Sequence, residues 1–377
     1  MVCMSDKKVI LVIGALAKSL ILFRGDLLRE FKARGFHVCA MANDKDTEVI
    51  AKLLEIDVEF ISYSIARNGL NPLKDLNTIL DFYKVIKRVK PDMIFAYTIK
   101  PIIWAGLVSR FLNQGQFYAL VTGLGFAFQG RTLIRRLLTG LVVFLYRLSL
   151  TNAVGVIFQN KDSRDYFVDK KMVRLSQATV VAGSGINVER FSLSILPDGD
   201  ISFLCIARLL GDKGIREYSL AASAVKKSYP NARFLLVGPE DSSPDGISLS
   251  EVQKWHDEGI IQFCGSTSDV RPYIAGSHVY VLPSYHEGMP RSTLEAMAMG
   301  RPVLTTDALG CRDTVNDGVN GFKVPVRDSA CLAEKMLWCI ENREKLDVMG
   351  KESRKMAEEI FDVRSVNADL LNAMNIS

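Results

Sequence analysis

The chain has 377 residues, of which 48% are hydrophobic and 24% are charged. This length suits two domains of about 150–200 residues each, and the composition excludes a disordered or fibrous protein. The formal net charge is +5, but residues 1–185 hold 26 Lys and Arg against 15 Asp and Glu, whereas the remaining residues hold 21 against 27. The basic half is expected to face an anionic partner. The alternative is that its extra cations are only solvated side chains on helix surfaces.

The seven cysteines are scattered, with no C-x-x-C pair and no cluster of His and Cys along the sequence. Such a pattern is typical of a reducing compartment and predicts neither a disulfide framework nor a structural zinc site. The N-terminus lacks the pattern of a secretory signal. The longest apolar stretch, Leu137–Leu150, is shorter than the about 20 residues that span a bilayer. A cytoplasmic protein is expected.

The first half alternates short apolar runs with helical patterns, which predicts a parallel sheet covered on both faces. Its predicted strands are Val9–Ile13, His37–Ala42, Val58–Ile61, Met93–Tyr97, Phe117–Val121 and Gly155–Gln159. A linker rich in Gly, Ser, Pro and Asp is predicted at residues 183–200.

The second half repeats this scheme. Its predicted strands are Ser202–Ile206, Arg233–Val237, Ile260–Phe263, Val279–Pro283, Pro302–Thr306 and Gly321–Val324. The sequence therefore predicts an α/β protein of two doubly wound, Rossmann-like domains, 1–185 and 186–362, which face each other across a cleft. Ligands of such sheets bind at the carboxyl ends of the strands.

The segment 284–300, SYHEGMPRSTLEAMAMG, follows the predicted strand at 279–283 and opens a helix. Free backbone N–H groups at a helix N-terminus attract a diphosphate. Glu287, on the loop, can accept hydrogen bonds from sugar hydroxyls, and Glu295, inside the helix, can hold a ribose diol. The alternative is that Glu287 is an ordinary loop charge and Glu295 an ordinary helix-surface residue. His286 is interpreted as a loop hydrogen-bonding residue rather than a general base.

A second loop, 207–214 (ARLLGDKG), follows the predicted strand at 202–206 and carries two cations, Arg208 and Lys213. An Arg can bind phosphate oxygens through two parallel hydrogen bonds, and a Lys adds a point charge. Two such cations suit a leaving nucleoside diphosphate, on which negative charge accumulates.

The pattern R-x-x-x-x-K-G followed three strands later by E-G-x-P-x-x-x-x-E resembles the family-4 retaining glycosyltransferases of the GT-B fold. Residues 180–191 and 236–238 support the resemblance, which covers essentially the whole chain. It implies two Rossmann-like domains, of which the first binds the acceptor and the second the nucleotide sugar. It also implies that residues 363–377 cross back onto the first domain.

The resemblance further implies residue roles. The donor diphosphate would bind at Arg208, Lys213, Gly14 and Gly288, and the transferred sugar at the catalytic Glu287. The nucleoside would bind at Glu295 and at Asp269, which lies in a loop similar to the one that faces the base. Such enzymes generally need no metal and no cofactor besides the donor, which is expected to be a UDP-sugar.

The stretches 67–72 and 119–125 are similar to enzymes that add N-acetylhexosamine, often N-acetylgalactosamine in α-1,3 linkage, to undecaprenyl-diphosphate-linked sugars. The resemblance therefore implies a lipid-linked sugar acceptor, with Thr98, Lys100 and Thr122 as candidate contacts. Many relatives carry a histidine after the fourth strand, facing the donor sugar, but the equivalent stretch 95–101 (FAYTIKP) has none.

A basic apolar segment, 131–150, follows. Arg131, Arg135 and Arg136 precede its apolar part, a composition that suits the headgroup zone of an anionic membrane surface. The alternative is a core helix. Peripheral association with the inner face of the cell membrane is therefore expected, whereas nucleic-acid binding is not, because no basic run is interleaved with stacking aromatics. The oligomeric state is left open.

Three rival functions remain. A nucleotide-sugar 2-epimerase of the same fold would need no acceptor. An NAD-dependent enzyme would need G-x-G-x-x-G after the first strand, which residues 14–16 (GAL) do not provide. A non-catalytic membrane scaffold would have no use for the cations and carboxylates of the two loops.

Overall fold

The computed structural model describes residues 7–65, 72–123 and 133–377, with the side chains of Pro72 and of residues 133–135 left out. The chain divides into two compact units. Unit 1 is Met1–Ser184 with Val366–Ser377, and unit 2 is Gly185–Ser365. The sequence-based bounds were 1–185 with 363–377, and 186–362.

Unit 1 contains a sheet of parallel strands in the order β3-β2-β1-β4-β5-β6-β7. The strands are β1 Val9–Ile13, β2 His37–Ala42, β3 Glu59–Ser62, β4 Met93–Tyr97, β5 Gln116–Val121, β6 Gly155–Phe158 and β7 Ala178–Val180. Apart from β3 and β7, the strands mostly consist of buried apolar residues, as expected for a sheet that is covered on both faces.

The helices of unit 1 lie on both faces of this sheet. They are α1 Ala17–Leu22, α2 Gly25–Ala33, α3 Thr47–Glu55, α4 Pro72–Val89, α5 Ile99–Leu112, α6 Leu133–Leu150 and α7 Lys161–Asp169. One core contains residues of α4, α5, α6 and α7, and the other contains residues of α1, α2 and α3. Because neighbouring strand residues face opposite sides, Leu11 belongs to the first core and Val12 to the second.

Unit 2 contains a second parallel sheet, in the order β10-β9-β8-β11-β12-β13. Its strands are β8 Ser202–Ile206, β9 Arg233–Val237, β10 Gln262–Phe263, β11 Val279–Leu282, β12 Val303–Thr306 and β13 Gly321–Val324. Its helices are α8 Ile215–Lys226, α9 Leu249–Asp257, α10 Arg271–Ala275, α11 Arg291–Ala298, α12 Ser329–Glu341 and α13 Leu346–Glu359. The predicted doubly wound α/β class is confirmed for both units.

The predicted strands are present, with ends that shift by up to two residues. The strand β7 was missed, because its three residues are only partly buried and carry no apolar run. No helix within the described residues is long and apolar enough to cross a membrane.

The last helix, α14 Val363–Ala373, begins in unit 2 and continues into unit 1. Its buried residues Val366, Leu370 and Leu371 belong to the core that also contains α1, α2 and α3. Residues 366–377 therefore complete unit 1 from the far end of the sequence.

Replacing Leu370 by Ala should lower the free energy of unfolding by about 2–5 kcal/mol, because a fully buried side chain is removed and a cavity is left. The neighbouring exposed Asp369, replaced by Ala, should change it by no more than about 0.5 kcal/mol. Chemical denaturation of both variants measures the difference. Equal stability of the two would show that α14 contributes little to unit 1.

Candidate functional site in unit 2

The strand order of unit 2 reverses beside β8, which lies between β9 and β11. In doubly wound sheets, ligands bind at such a switch point, outside the carboxyl ends of the strands. The loops that leave β8 and β11 are 207–214 and 283–290, and these are the two loops on which the sequence placed its cations and carboxylates.

The two loops approach each other closely. Gly214 has φ +68°, and a Cβ built on it would lie 2.0 Å from the carbonyl oxygen of Pro283. The backbone N–H of Tyr285 donates to the carbonyl of Asp212 at 2.8 Å, and the hydroxyl of Ser284 donates to the same carbonyl at 3.1 Å. Only a glycine at position 214 allows this contact.

Lys213 and Glu287 form an ion pair between these loops. Lys213 Nζ lies 2.6 Å from Glu287 Oε1, and the side chains are only 13% and 17% exposed. Burial opposes the charge of Lys213, but the neighbouring carboxylates of Glu287 and Asp212 hold its pKa above the ordinary value. Both charges are therefore held in one place at the carboxyl ends of β8 and β11.

The loop that carries Glu287 is supported from the other side by the segment that follows β12. The backbone N–H of Glu287 donates to the carbonyl of Leu309 at 2.9 Å. Gly310, at φ +74°, lies so close that a Cβ there would be 2.5 Å from the carbonyl oxygen of Glu287 and 2.4 Å from that of Gly288. Gly288, a predicted diphosphate contact, is thus part of a tightly packed backbone segment.

Arg208 lies near this pair but is half-exposed. Its Nη1 lies 2.6 Å from Asp241 Oδ2. The positive charge of Arg208 also acts on Lys213, where it lowers the pKa. Asp241, which was not predicted, holds the Arg208 side chain at the rim of the site, and its own pKa is lowered by Ser243 and Arg208 despite partial burial.

Glu295 lies in α11, largely buried beside Arg291, with Arg291 Nε 3.0 Å from Glu295 Oε1. Burial raises the pKa of Glu295, although Arg291 opposes this effect. The charges of Asp269 and Arg190 also act on Glu295. Asp269 is bound by Arg271 through two parallel hydrogen bonds of 2.7 and 2.8 Å, which lower its pKa to about 2.

Tyr280 lies near both carboxylates of the site. It is fully buried in β11, and its hydroxyl donates to Ser292 Oγ at 2.6 Å. Burial raises its pKa well above the ordinary value, and both Glu295 and Glu287 contribute. The two glutamates therefore lie within electrostatic range of one hydroxyl. This pattern was not visible in the sequence, because Tyr280 reads as an ordinary strand residue.

His286 lies beside Asp212, with His286 Nε2 3.7 Å from Asp212 Oδ2. Burial lowers the pKa of His286, which favours the neutral ring. Asp212 Oδ1 is buried and has no hydrogen-bond partner. Together these residues leave a polar acceptor next to the Lys213–Glu287 pair.

In unit 1, Gly14 and Thr98 follow β1 and β4, where the strand order of that sheet reverses. A Cβ on Gly14 would lie 2.2 Å from the hydroxyl of Tyr97. Packing against Tyr97 therefore requires a glycine at position 14, whether or not Gly14 makes the predicted phosphate contact. Thr98 has φ +71°, which is unusual for a residue other than glycine, and its buried Oγ1 has no hydrogen-bond partner.

The other residues of unit 1 that were predicted to bind the acceptor or the membrane lie on several different elements. Lys100 Nζ pairs with the buried Asp75 at 2.8 Å, and Thr122 is half-buried after β5. Arg136 is exposed on α6. The stretch 67–71, the end of the stretch 119–125 and Arg131 lie outside the described residues, and so does the side chain of Arg135.

Comparison with known proteins gives the class. Residues 10–160 match the family model described as glycosyl transferase 4-like, and residues 200–342 match that of glycosyl transferases group 1. The two models cover well over half of the chain, which therefore belongs to the family-4 glycosyltransferases. The predicted enzyme class, a glycosyltransferase, is confirmed.

Individual glycosyltransferases are also similar to this chain over most of its length. The chain is 28% identical to the N,N'-diacetylbacillosaminyl-diphospho-undecaprenol alpha-1,3-N-acetylgalactosaminyltransferase of Campylobacter jejuni, over 86% of this chain and 87% of that protein. It is 20% identical to the UDP-Gal:alpha-D-GlcNAc-diphosphoundecaprenol alpha-1,3-galactosyltransferase of Escherichia coli, over 81% and 80%. Neither comparison favours an epimerase.

A solved structure of HepE from Anabaena, in complex with UDP and glucose, is similar with a TM-score of 0.79 and 18% identity, over 97% of this chain and 99% of that one. This likeness confirms the predicted GT-B fold.

Replacing Gly214 by Ala should separate the two loops and abolish glycosyl transfer, because the new Cβ cannot fit beside the Pro283 carbonyl. Gly259 offers a matched control. It has the same φ of +68° but nothing within 4 Å of a built Cβ, so its Ala variant should pay only the backbone strain of about 1–2 kcal/mol and keep full activity. Thermal unfolding and transfer assays compare the two. Equal activity would contradict the requirement for close approach.

Proposed function

We propose that this glycosyltransferase moves a hexose or N-acetylhexosamine from a UDP-sugar onto an undecaprenyl-diphosphate-linked glycan, with retention at the anomeric carbon, in the assembly of a cell-surface polysaccharide or glycan. The observation that carries the proposal is the Lys213–Glu287 ion pair, with Arg208 beside it, at the carboxyl ends of β8 and β11. The relatives named above act on diphospho-undecaprenol acceptors, and one of them uses UDP-Gal.

The cations supply what the leaving group needs. Negative charge develops on the UDP diphosphate as the glycosidic bond breaks, and preorganised cations in a site of low water content stabilise that charge. Lys213 is already fixed by Glu287, so little reorganisation is needed when the diphosphate binds. Arg208 can turn from Asp241 to the phosphate, because half of its side chain is exposed.

Glu287 suits sugar binding better than nucleophilic attack. Its charge is engaged by Lys213, and its remaining lone pairs can accept hydrogen bonds from sugar hydroxyls. Retention then follows from departure and attack on the same face of the sugar, with a diphosphate oxygen taking the proton of the acceptor. Neither a metal nor another cofactor takes part in this proposal.

The nucleoside end of the donor is assigned to Glu295 and Asp269. Glu295 can accept the two hydroxyls of a ribose, as acidic residues do in dinucleotide sites. Its raised pKa reflects burial, and a bound diol would supply the hydrogen bonds that such a buried carboxylate requires. The positive charge of Arg190 acts on both acidic residues.

The acceptor end is assigned to unit 1. Two observations on Thr98 support this assignment. Its buried hydroxyl has no hydrogen-bond partner, and its backbone has a positive φ. Strain of this kind clusters at ligand sites. Lys100 lies two residues further on and could attract an anionic acceptor, although Asp75 now holds it.

Unit 1 also presents exposed apolar side chains on two of its helices, here together called the α4–α6 face. It consists of exposed apolar side chains on α4 and α6, both of which pack against α5. Its residues are Leu73, Leu76, Leu80, Leu137, Leu141, Phe144 and Leu148. The exposed Arg136 and, in sequence, Arg131 and Arg135 lie at the amino end of α6. We assign this face to an anionic membrane surface, on the inner side of the cell membrane, where a lipid-linked acceptor would be found.

A donor screen with a lipid-diphosphate acceptor tests the reaction. UDP should be released, and the acceptor should gain one sugar mass, only when donor and acceptor are both present. Conversion of the UDP-sugar into an isomeric UDP-sugar with donor alone would favour an epimerase. No transfer from any UDP-sugar would refute the proposed donor.

The same assay, combined with UDP binding, tests the residue roles. Lys213→Met and Arg208→Met should each weaken UDP binding by about tenfold or more, since a charge-assisted contact is lost. Glu287→Gln keeps an oxygen that can accept a hydrogen bond from Lys213, so it should weaken UDP binding by less than about tenfold yet lose about 100-fold or more in transfer. Lys351→Met, on the exposed ion pair with Asp347, is the control and should change neither. Weakened UDP binding in Glu287→Gln with intact transfer would reverse the assignment.

Liposome flotation tests the α4–α6 face. Changing Arg131, Arg135 and Arg136 to Glu, or Leu137 and Phe144 to Ser, should reduce binding to vesicles that contain anionic lipid, because each surface cation contributes about 1 kcal/mol and the apolar residues insert. Changing Lys254, Lys351 and Lys355 of unit 2 to Glu alters the net charge equally and should leave binding unchanged. Equal loss in the control would mean that only net charge matters.

A further inference from the structure

One cluster of possible metal ligands lies in unit 1, away from the residues discussed so far. His37 and Cys39 are two residues apart in β2, so their side chains share one face of the sheet. Cys39 is paired in register with Glu59 of β3. No zinc site was predicted from the sequence, because Glu59 is 20 residues from Cys39 and approaches it only through the strand pairing.

The three possible donor atoms lie close enough together to bind one ion. His37 Nε2 lies 3.5 Å from Glu59 Oε2, and Cys39 Sγ lies 3.6 Å from the same oxygen. All three atoms lie within 4.8 Å of one another. In a tetrahedral zinc site, bonds of about 2.0–2.3 Å place N and O about 3.4 Å apart and S and O about 3.6 Å apart. The observed N–O and S–O separations match these two edges.

We propose that His37, Cys39 and Glu59 bind a zinc ion, with water as the fourth ligand. The His37 and Glu59 side chains are about half-exposed, whereas Cys39 is buried beneath them, so an ion can enter from solvent and reach the sulfur. As the zinc–sulfur bond forms, the thiol gives up its proton to solvent. Imidazole, thiolate and carboxylate are all ordinary zinc ligands.

The position of the cluster indicates a structural role. His37 opens β2, whereas Gly14 and Thr98 follow the carboxyl ends of β1 and β4, at the opposite edge of the same parallel sheet. Within the described sheet, β3 is the outermost strand on its side, and it has four residues. A zinc ion would join β3 to β2 and would stabilise unit 1 without taking part in glycosyl transfer.

Two cations act against ion binding. Lys32 and Arg88 both lie within electrostatic range of Cys39. Lys32 is paired with Asp57 at 2.5 Å, which offsets part of its charge. Arg88→Gln should therefore tighten zinc binding, while it leaves all three ligands in place.

Metal titration of the full chain after treatment with a chelator tests the proposal. Co²⁺ should bind with one equivalent and give the absorption of a thiolate-bound, four-coordinate ion, and Zn²⁺ should displace it with micromolar or tighter affinity. Zn²⁺ should also raise the midpoint of thermal unfolding, since it binds the folded state. Transfer activity should be the same with and without the ion.

Cys39→Ser, His37→Gln and Glu59→Gln should each weaken Zn²⁺ binding by about tenfold or more. Cys264→Ser and His256→Gln, in unit 2, are the matched controls and should bind as the wild type does. His37 is exposed, so its variant remains informative even if Cys39→Ser fails to fold. Unchanged binding in His37→Gln, equal weakening in the controls, or no binding at stoichiometric metal would overturn the proposal.

Discussion

The ion pair between Lys213 and Glu287 is the interaction on which the site of unit 2 depends. It joins two loops that leave different strands, and it exists because Gly214 and Gly310 let the backbone segments touch. Two buried charges are costly to desolvate, and a lone one costs more, so each residue requires the other. Removing one partner of a buried pair typically costs about 3–5 kcal/mol. The cation and the carboxylate are therefore fixed before any ligand arrives.

In the proposed reaction, the two units carry different chemistry on similar sheets. The switch point of unit 2 is surrounded by charges, which suits a diphosphate. The switch point of unit 1 offers a glycine packed against Tyr97 and an unpartnered Thr98 hydroxyl, which can form a hydrogen bond with a hydroxyl of the acceptor. A transferase needs both kinds of environment, because one substrate leaves as an anion and the other attacks as an alcohol.

Much of the fold could be predicted from the sequence, because buried parallel strands such as β1 and β8 are continuous apolar runs between helical patterns. The cations and carboxylates of unit 2 were also predictable, since their spacing carries the family pattern. The residues that hold these side chains in place could not be predicted. Asp241 reaches Arg208 across 33 residues, and Arg291 precedes Glu295 by one helical turn without any signal of its own. The positive φ of Thr98 and the pairing of Cys39 with Glu59 depend on tertiary structure and strand register.

The helix α6 shows why its two sequence-based interpretations are compatible. Val142, Tyr146 and Leu150 are buried in the core of unit 1, which is what a core helix requires. Leu137, Leu141, Phe144 and Leu148 follow one another at helical spacing on another face and stay exposed. Each square ångström of such apolar surface left in water forgoes about 25 cal/mol. Folding of unit 1 alone does not recover that free energy, whereas the proposed contact of this stripe with a membrane surface would.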